Sequence, residues 1–223
     1  MSVGEDLGRA HTLAEQANVP VGGRLKRFVD LVAAALLLTF FSPLFVVLVV
    51  AVRLSGRGPV IFAHKRLGAG GKPFDCYKFR TMVPNAQDVL DRLLVEDSAA
   101  RSEWTTTQKL ANDPRITKVG RILRMTSMDE LPQLLNVLIG EMSLVGPRPI
   151  VEDERRHYGT QYRAYTAARP GITGLWQVSG RSDTTYQTRV ALDAEYVSGW
   201  SFGLDLKILL RTIVVVLFMR GSR

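Results

Sequence analysis

The apolar run from Leu31 to Val52, interrupted only by Thr39, Ser42 and Pro43, limits what this chain can fold into more than any other stretch. As one straight helix it reaches about 33 Å at about 1.5 Å per residue, enough for a bilayer core of about 30 Å. Pro43 works against a straight span: it lacks a backbone donor and its ring clashes with the carbonyl of Thr39, so a kink or break is expected at Ser42-Pro43. In hydrocarbon the freed carbonyl needs a partner, and the hydroxyls of Thr39 and Ser42 are close enough to supply one. Cations flank both ends, with Arg24, Lys26 and Arg27 before the run and Arg53, Arg57, Lys65 and Arg66 after it. The positive-inside tendency draws both ends to the cytoplasm. A helix-break-helix hairpin that dips in, turns at Ser42-Pro43 and returns to the same face meets both demands, because each arm is too short to cross. A kinked single span, with the following domain on the far side, is the other reading. Residues 24–57 are thus read as a re-entrant membrane anchor and residues 1–23, polar and without the apolar core of a cleaved secretory signal, as a flexible cytosolic tail.

The net charge of +8 asks for an anionic partner: nucleic acid, phospholipid headgroups or a phosphorylated small molecule. Nucleic acid fits least, since no aromatic-interleaved basic motif is present and the apolar run serves no duplex contact. The single cysteine, Cys76, excludes an internal disulfide and reads as a packing residue; His11, His64 and His157 form no metal-spaced cluster.

Pro59–Leu67 and Pro73–Met82 alternate in polarity around Gly68-Ala69-Gly70-Gly71-Lys72, a β-hairpin signal. Alternation places Lys78 and Arg80 on the face opposite Tyr77 and Phe79, which suits a phosphate site and a solvated face equally. Ala86–Leu110 reads as one surface helix. Asp113 as cap and Pro114 at the first helical position begin the next, and Arg115, Lys118, Arg121 and Arg124 form a stripe along it. That stripe is either solvated or laid against anionic headgroups at about 1 kcal/mol per cation. Pro170–Gly174 reads as a turn-rich loop and Trp176–Arg181 as a short strand, the two together being either a binding loop or a packed surface loop. Asp183–Gly199, carrying Asp193, is helical. Leu206–Met219, interrupted by Lys207 and Arg211, is short for a span and reads as an interfacial amphipathic helix.

Ser127–Pro149 concentrates the chemistry. Leu131, Leu134, Leu135 and Leu138 recur at helical spacing. A start at Ser127 makes a capping box with Glu130 but puts Pro132 past the first turn, whereas a start at Asp129 leaves Pro132 where its missing N–H costs nothing. The second start is expected, and it sets Asp129 at the positive end of a helix dipole, favouring its ionised form and an incoming phosphate. A plain cap role for the Asp-Glu pair stays open at this point. In Gly146-Pro147-Arg148-Pro149, two prolines fix the backbone around one guanidinium suited to bidentate oxyanion contact.

The basic collar and Ser-Pro-interrupted run, Tyr77–Met82 (Y-K-F-R-T-M), Ser127–Leu134 (S-M-D-E-L-P-Q-L), Val145–Pro149 (V-G-P-R-P) and Arg169–Arg181 (R-P-G-I-T-G-L-W-Q-V-S-G-R) together resemble the bacterial sugar transferase family. These are monotopic polyprenyl-phosphate phosphoglycosyl transferases that begin exopolysaccharide and related glycan assembly. The resemblance runs from about Leu25 to Phe218 and is to the short, single-module kind. The expected fold is α+β and mainly helical: the re-entrant membrane hairpin, the small β-hairpin, and interfacial amphipathic helices around a cytosolic catalytic core in residues 58–223. The resemblance implies that Asp129 attacks the sugar-proximal phosphorus of a UDP-sugar, expelling UMP and leaving a covalent phosphosugar that passes to undecaprenyl phosphate. It implies a catalytic pair, Asp129 and Glu130, that also holds Mg²⁺, and a place on the cytoplasmic face of the bacterial inner membrane, against anionic lipids. A carboxylate is a competent nucleophile for such a step, and a diphosphate needs cations to spread its charge. Arg124, Arg148, Lys78 and Arg80 are the expected phosphate contacts; Trp176, Gln177 and Arg181 are the expected nucleotide or sugar contacts. The competing reading is a non-catalytic membrane-surface protein that holds anionic lipid. Which sugar is carried is not written in the sequence.

Overall fold

The computed structural model describes residues 19–180 and 185–217. Most of the expected tail, Arg181 and the end of Leu206–Met219 lie outside them. Gly23–Leu54 forms one 32-residue helix, α1, long and apolar enough by length and composition to cross a membrane. No break interrupts it at Ser42-Pro43, contrary to expectation. The Thr39 carbonyl left by Pro43 accepts a hydrogen bond from Ser42 Oγ at 2.8 Å, and Thr39 Oγ1 donates to Ala35 O at 2.9 Å, so the turn is satisfied from within.

Both arms of α1 dock onto one body. Ala34 packs among Phe74, Leu134, Val137 and Met142 in the main core, while Leu48 and Val52 pack with Phe79 and Leu123 in a second cluster. Lys26 Nζ donates to Asp205 at 2.6 Å, a carboxylate that also accepts from the Tyr196 hydroxyl and Trp200 Nε1. Asp30 accepts from Ser143 Oγ and Leu144 N. Arg27 donates to the carbonyls of Val137 and Leu138. The collar cations Lys26 and Arg27 therefore turn into the protein rather than toward headgroups.

The hairpin forms as β1 (Ile61–Leu67) and β2 (Pro73–Phe79), antiparallel, with Gly70 and Gly71 at φ 67° and 70° in the turn. The expected single surface helix is two, α2 (Ala86–Glu96) and α3 (Ser98–Thr107), because Asp97 breaks the first and its carboxylate caps the second at Ala99 N and Ala100 N. Helix α4 (Lys118–Thr126) is capped by Thr117, not Asp113; the Asp113 carboxylate is taken by the Arg115 guanidinium at 2.6 Å. Then follow α5 (Gln133–Ile139), β3 (Ser143–Val145), α6 (Arg155–Tyr158) and α7 (Tyr162–Thr166). Strand β4 (Gly171–Thr173) pairs in parallel with β3. Where a strand is expected at Trp176, the chain forms a short helix, α8 (Leu175–Val178), which buries Leu175 and Trp176. Helices α9 (Tyr186–Ser198) and α10 (Phe202–Leu217) complete the described chain. The result is the expected mainly helical α+β architecture.

The two parallel strands cross at unusually short range. A methyl on Gly146 would run into Arg169 O, one on Gly171 into Gly146 N, and one on Gly174 into Gly146 O. The glycines of V-G-P-R-P and P-G-I-T-G are thus one packing unit, required because no side chain fits between the backbones. Gly171→Ala is expected to destabilise the protein by at least about 2 kcal/mol. Gly203→Ala, whose methyl meets only ordinary contact, is expected to be neutral or stabilising. Thermal unfolding of both variants in detergent checks the contrast.

Candidate active site

Four segments converge on one small cavity: the hairpin through Arg66, Cys76 and Lys78; the turn after α4 through Glu130 and Gln133; the Arg148-Pro149 segment; and the β4–α8 region through Gly171, Ile172 and Gln177. The turn is built by Ser127, which ends α4 in a left-handed conformation at φ 57°. Met128–Glu130 then form a single 3₁₀ turn, and α5 starts only at Gln133. Asp129 is therefore not the helix cap, and Ser127 makes no capping box. The reason lies in Pro132, which has no N–H to give the carbonyl of Met128; that carbonyl accepts from Leu131 N instead, at 3.3 Å, and the tighter turn results.

The loss of the cap changes the electrostatics of the acidic pair. Burial pushes the Asp129 carboxyl up to about 6, Glu130 adds to the rise, and Lys78 and Arg124 pull against it. This reverses the expectation that helix geometry favours its ionised form. Burial also pushes Glu130 upward, but Lys78, Arg148 and Arg66 outweigh it and hold that carboxyl below its ordinary range. Lys78 Nζ donates to Glu130 Oε1 at 2.6 Å. Two adjacent carboxylates are thus driven apart, one protonating just below neutral pH and the other staying ionised, the pattern by which environment divides acid–base roles.

The expected contacts divide by position. Lys78, Arg148 and Gln177 line the cavity with Glu130. Arg124 reaches its neighbourhood from α4: Gly120 lies against the Thr81 carbonyl with no room for a side chain, and Arg124 Nε donates to Thr81 Oγ1 at 2.9 Å, with its charge acting on Asp129. Arg80 turns the other way, because β2 ends at Phe79 and the side chain is drawn to α1. Its guanidinium donates to the carbonyls of Val52, Gly56 and Arg57 at the end of that helix. Trp176 is buried, with Arg148 stacked over it at 5.6 Å and Arg189 at 4.8 Å. Asp193, on α9, accepts from the Tyr158 hydroxyl at 2.8 Å; burial raises it to about 7 while Tyr158 and Arg148 pull it down.

Arg66 and Gln133 are cavity residues that sequence reasoning passed over. The signal for Arg66 was in the hairpin: the register sets His64 opposite Cys76 and Arg66 opposite Phe74, so alternation puts Arg66 on the face that carries Cys76 and Lys78. Among the described residues no group of three or more His, Cys, Asp or Glu is arranged to hold a metal.

The family model for bacterial sugar transferases matches residues 21–219. The chain belongs to the bacterial sugar transferase family. This transferase is 50% identical over 203 residues to the exopolysaccharide production protein ExoY of Rhizobium meliloti (strain 1021), covering 91% of the chain and 90% of that protein. It is 54% identical over 198 residues to the undecaprenyl-phosphate galactose phosphotransferase of Salmonella typhimurium, covering 89% of the chain and 41% of that protein. To the UDP-glucose:undecaprenyl-phosphate glucose-1-phosphate transferase of Caulobacter vibrioides it is 44% identical over 196 residues, or 84% of the chain and 68% of that protein. The chain is accordingly an enzyme of the phosphoglycosyl transferase type, which sets aside the non-catalytic binding reading.

The dyad gives the transferase a signature in stability. The folded value of Asp129, about 6, lies above the ordinary 3.8. The stability this group contributes is present below that ordinary value and lost as pH rises through about 6. Asp129→Asn is therefore expected to melt about 2–4 °C above the wild type at pH 8, on about 1 kcal/mol after discounting for residual solvent contact. The gain is expected to vanish as the pH falls toward 4. A pH series of thermal melts reads it, and a variant that melts lower at pH 8 contradicts it.

Proposed function

We propose that the transferase moves a sugar-1-phosphate from a UDP-sugar to undecaprenyl phosphate, releasing UMP, through a covalent phosphosugar on Asp129, as the first membrane step of exopolysaccharide or related glycan assembly. The relatives named for undecaprenyl-phosphate galactose transfer and for UDP-glucose-dependent glucose-1-phosphate transfer support the substrate pair. The observation that carries the mechanism is the split dyad, with Glu130 lining a cationic cavity and Asp129 beside it in the chain. A carboxyl raised to about 6 is still mostly ionised at pH 7.5, yet it is poorly solvated and more basic than an ordinary aspartate, which suits a nucleophile.

In the first displacement an Asp129 oxygen bonds to the sugar-proximal phosphorus as the bond to the departing UMP oxygen breaks. In the second, an oxygen of undecaprenyl phosphate bonds to that phosphorus and the Asp129 carboxylate is released. Lys78, Arg124 and Arg148 spread the charge that moves between these oxygens. Mg²⁺ takes hard oxygen ligands, commonly one or two carboxylates together with substrate phosphates. The donor set of Asp129 and Glu130 fits it, and these two would hold the ion, which would add charge neutralisation at the diphosphate.

The packing of α1 supports an anchor whose two ends lie on one face of the inner membrane. Ala34 and Leu48 are both buried against the same body. Between them Leu38, Leu44 and Phe45 also pack against the body, and the whole stretch from Ala34 to Leu48 is about 20 Å at about 1.5 Å per residue, short of the roughly 30 Å of a bilayer core. The exposed cations Arg24 and Arg53 near the two ends of α1 favour the cytoplasmic face for the transferase domain. The exposed apolar side chains Ile122 and Met125 of α4 and Leu206, Leu210 and Ile213 of α10, together with exposed Lys118 and Arg121, suit an interface rich in anionic lipid.

Asp129→Asn is expected to lower UMP release at least about 1000-fold and to abolish covalent labelling by a radioactive UDP-sugar, with membrane association intact. Near-normal turnover in that variant would sink the nucleophile assignment. A panel of UDP-sugars assayed for UMP release with undecaprenyl phosphate present identifies the sugar. For the anchor, single cysteines introduced before Leu31 and after Val52 are expected to react with an impermeant maleimide from the same side of sealed vesicles; labelling from opposite sides would establish a crossing.

A further inference from the structure

Two guanidiniums drawn into this protein from the hairpin end in opposite circumstances. Arg80, 7% exposed, is filled: Nη1 donates to Arg57 O at 2.9 Å, and Nη2 donates to Val52 O at 2.9 Å and Gly56 O at 2.7 Å. Arg66 is engaged through Nη1 alone, toward Pro149 O at 3.3 Å and Glu154 Oε2 at 3.6 Å. That glutamate oxygen is already shared with Val151 N at 2.9 Å. The Nε and Nη2 donors of Arg66 meet no acceptor among the described residues, in a side chain only 18% exposed.

The unused edge belongs to a residue of the cavity. Arg66 lines it together with Lys78 and Arg148, three cations facing the one carboxylate of Glu130. Arg148 stacks over Trp176, and its guanidinium donates to no acceptor among the described residues. Burial, and then the charge of Arg148, push Arg66 below its ordinary value, so the two guanidiniums disfavour each other. None of these donors is among the buried side-chain atoms left without a partner, so they remain open to a ligand, and a planar fork matches the edge of a phosphate. An anion between them would relieve their repulsion.

We propose that Arg66 is a further substrate-contacting residue of the transferase: its Nε/Nη2 edge clasps a phosphate oxyanion jointly with Arg148, while Pro149 O and Glu154 hold the guanidinium in place. The inference rests on the proposed reaction. The oxyanion is carried by the donor diphosphate or by the lipid phosphate, and the two sources are separable by kinetics.

The test uses the full chain in nanodiscs, comparing the wild type with Arg66→Ala and Arg66→Lys. The KM for a UDP-sugar that supports turnover and the KM for undecaprenyl phosphate are measured separately, with binding of UDP, uridine and inorganic pyrophosphate. A rise of at least about tenfold in one KM names the source. For the donor, UDP and pyrophosphate are expected to weaken by a similar factor while uridine, which lacks phosphate, is unchanged. Arg66→Lys keeps the charge but loses the fork, so it is expected to fall between the wild type and Arg66→Ala; it also carries the test if the alanine variant fails to fold. Unchanged KM values for both substrates, whether with full activity or with a loss confined to kcat, overturn the proposal in favour of a role in holding the Pro149 loop. A wild type that releases no UMP fails the reaction instead, and weaker pyrophosphate binding in Arg66→Ala would still mark the anion site.

Discussion

Buried charge at both ends of an apolar helix is the constraint on which this structure depends. Lys26 on Asp205 and Asp30 on β3 fix the first arm of α1, and Arg80 on the last carbonyls of α1 fixes the second. Each of these groups has left water, and removing one partner of such a pair strands the other, typically at about 3–5 kcal/mol. The Asp205 carboxylate is more than an ion pair, since Tyr196 and Trp200 also donate to it and join α1, α9 and α10 at one point. Arg27 extends the attachment to α5 by donating to its terminal carbonyls, at the end of that helix where the dipole favours a cation.

That attachment reaches the dyad through one fully buried amide. Asn136 in α5 accepts from Tyr77 N at 3.0 Å and donates to Asp75 O at 2.7 Å, pinning the helix to β2. With α5 and β2 locked, Lys78 stands at hydrogen-bonding distance from Glu130. The membrane helix, the hairpin and the acidic turn are therefore one rigid arrangement. The proposed reaction would use that rigidity, because one of its substrates is confined to lipid and the other to water.

The contrast within the dyad comes from neighbours rather than from residue type. Asp129 is half-buried beside a charged glutamate, with Lys78 and Arg124 too weak a counterweight, while Glu130 has Lys78 in contact and Arg148 and Arg66 behind it. Arg66 and Arg80 show the same principle. Both are arginines of the hairpin segment, yet one is spent on backbone carbonyls and the other lines the cavity with Nη1 alone engaged.

Much of this was legible in the residues themselves. The apolar run, the hairpin with its glycine turn and the apolar C-terminal helix are set by local periodicity and backbone preference, which act over a few residues. The motifs around Asp129, Arg148 and Gly171 likewise named the family, because their chemistry depends on short fixed spacings. What the sequence left open are the properties set by distant neighbours. Pro43 did not break α1, since Ser42 answers the carbonyl it frees. Asp129 was not a cap, since Ser127 turns left-handed and Pro132 tightens the turn behind it. Gly146 in one motif and Gly171 and Gly174 in the Pro170–Gly174 loop read as separate segments and are one close backbone contact. The fate of each arginine, and the proton affinity of each carboxylate, were decided only by tertiary structure, because burial and charge depend on which segments the fold brings within a few ångströms.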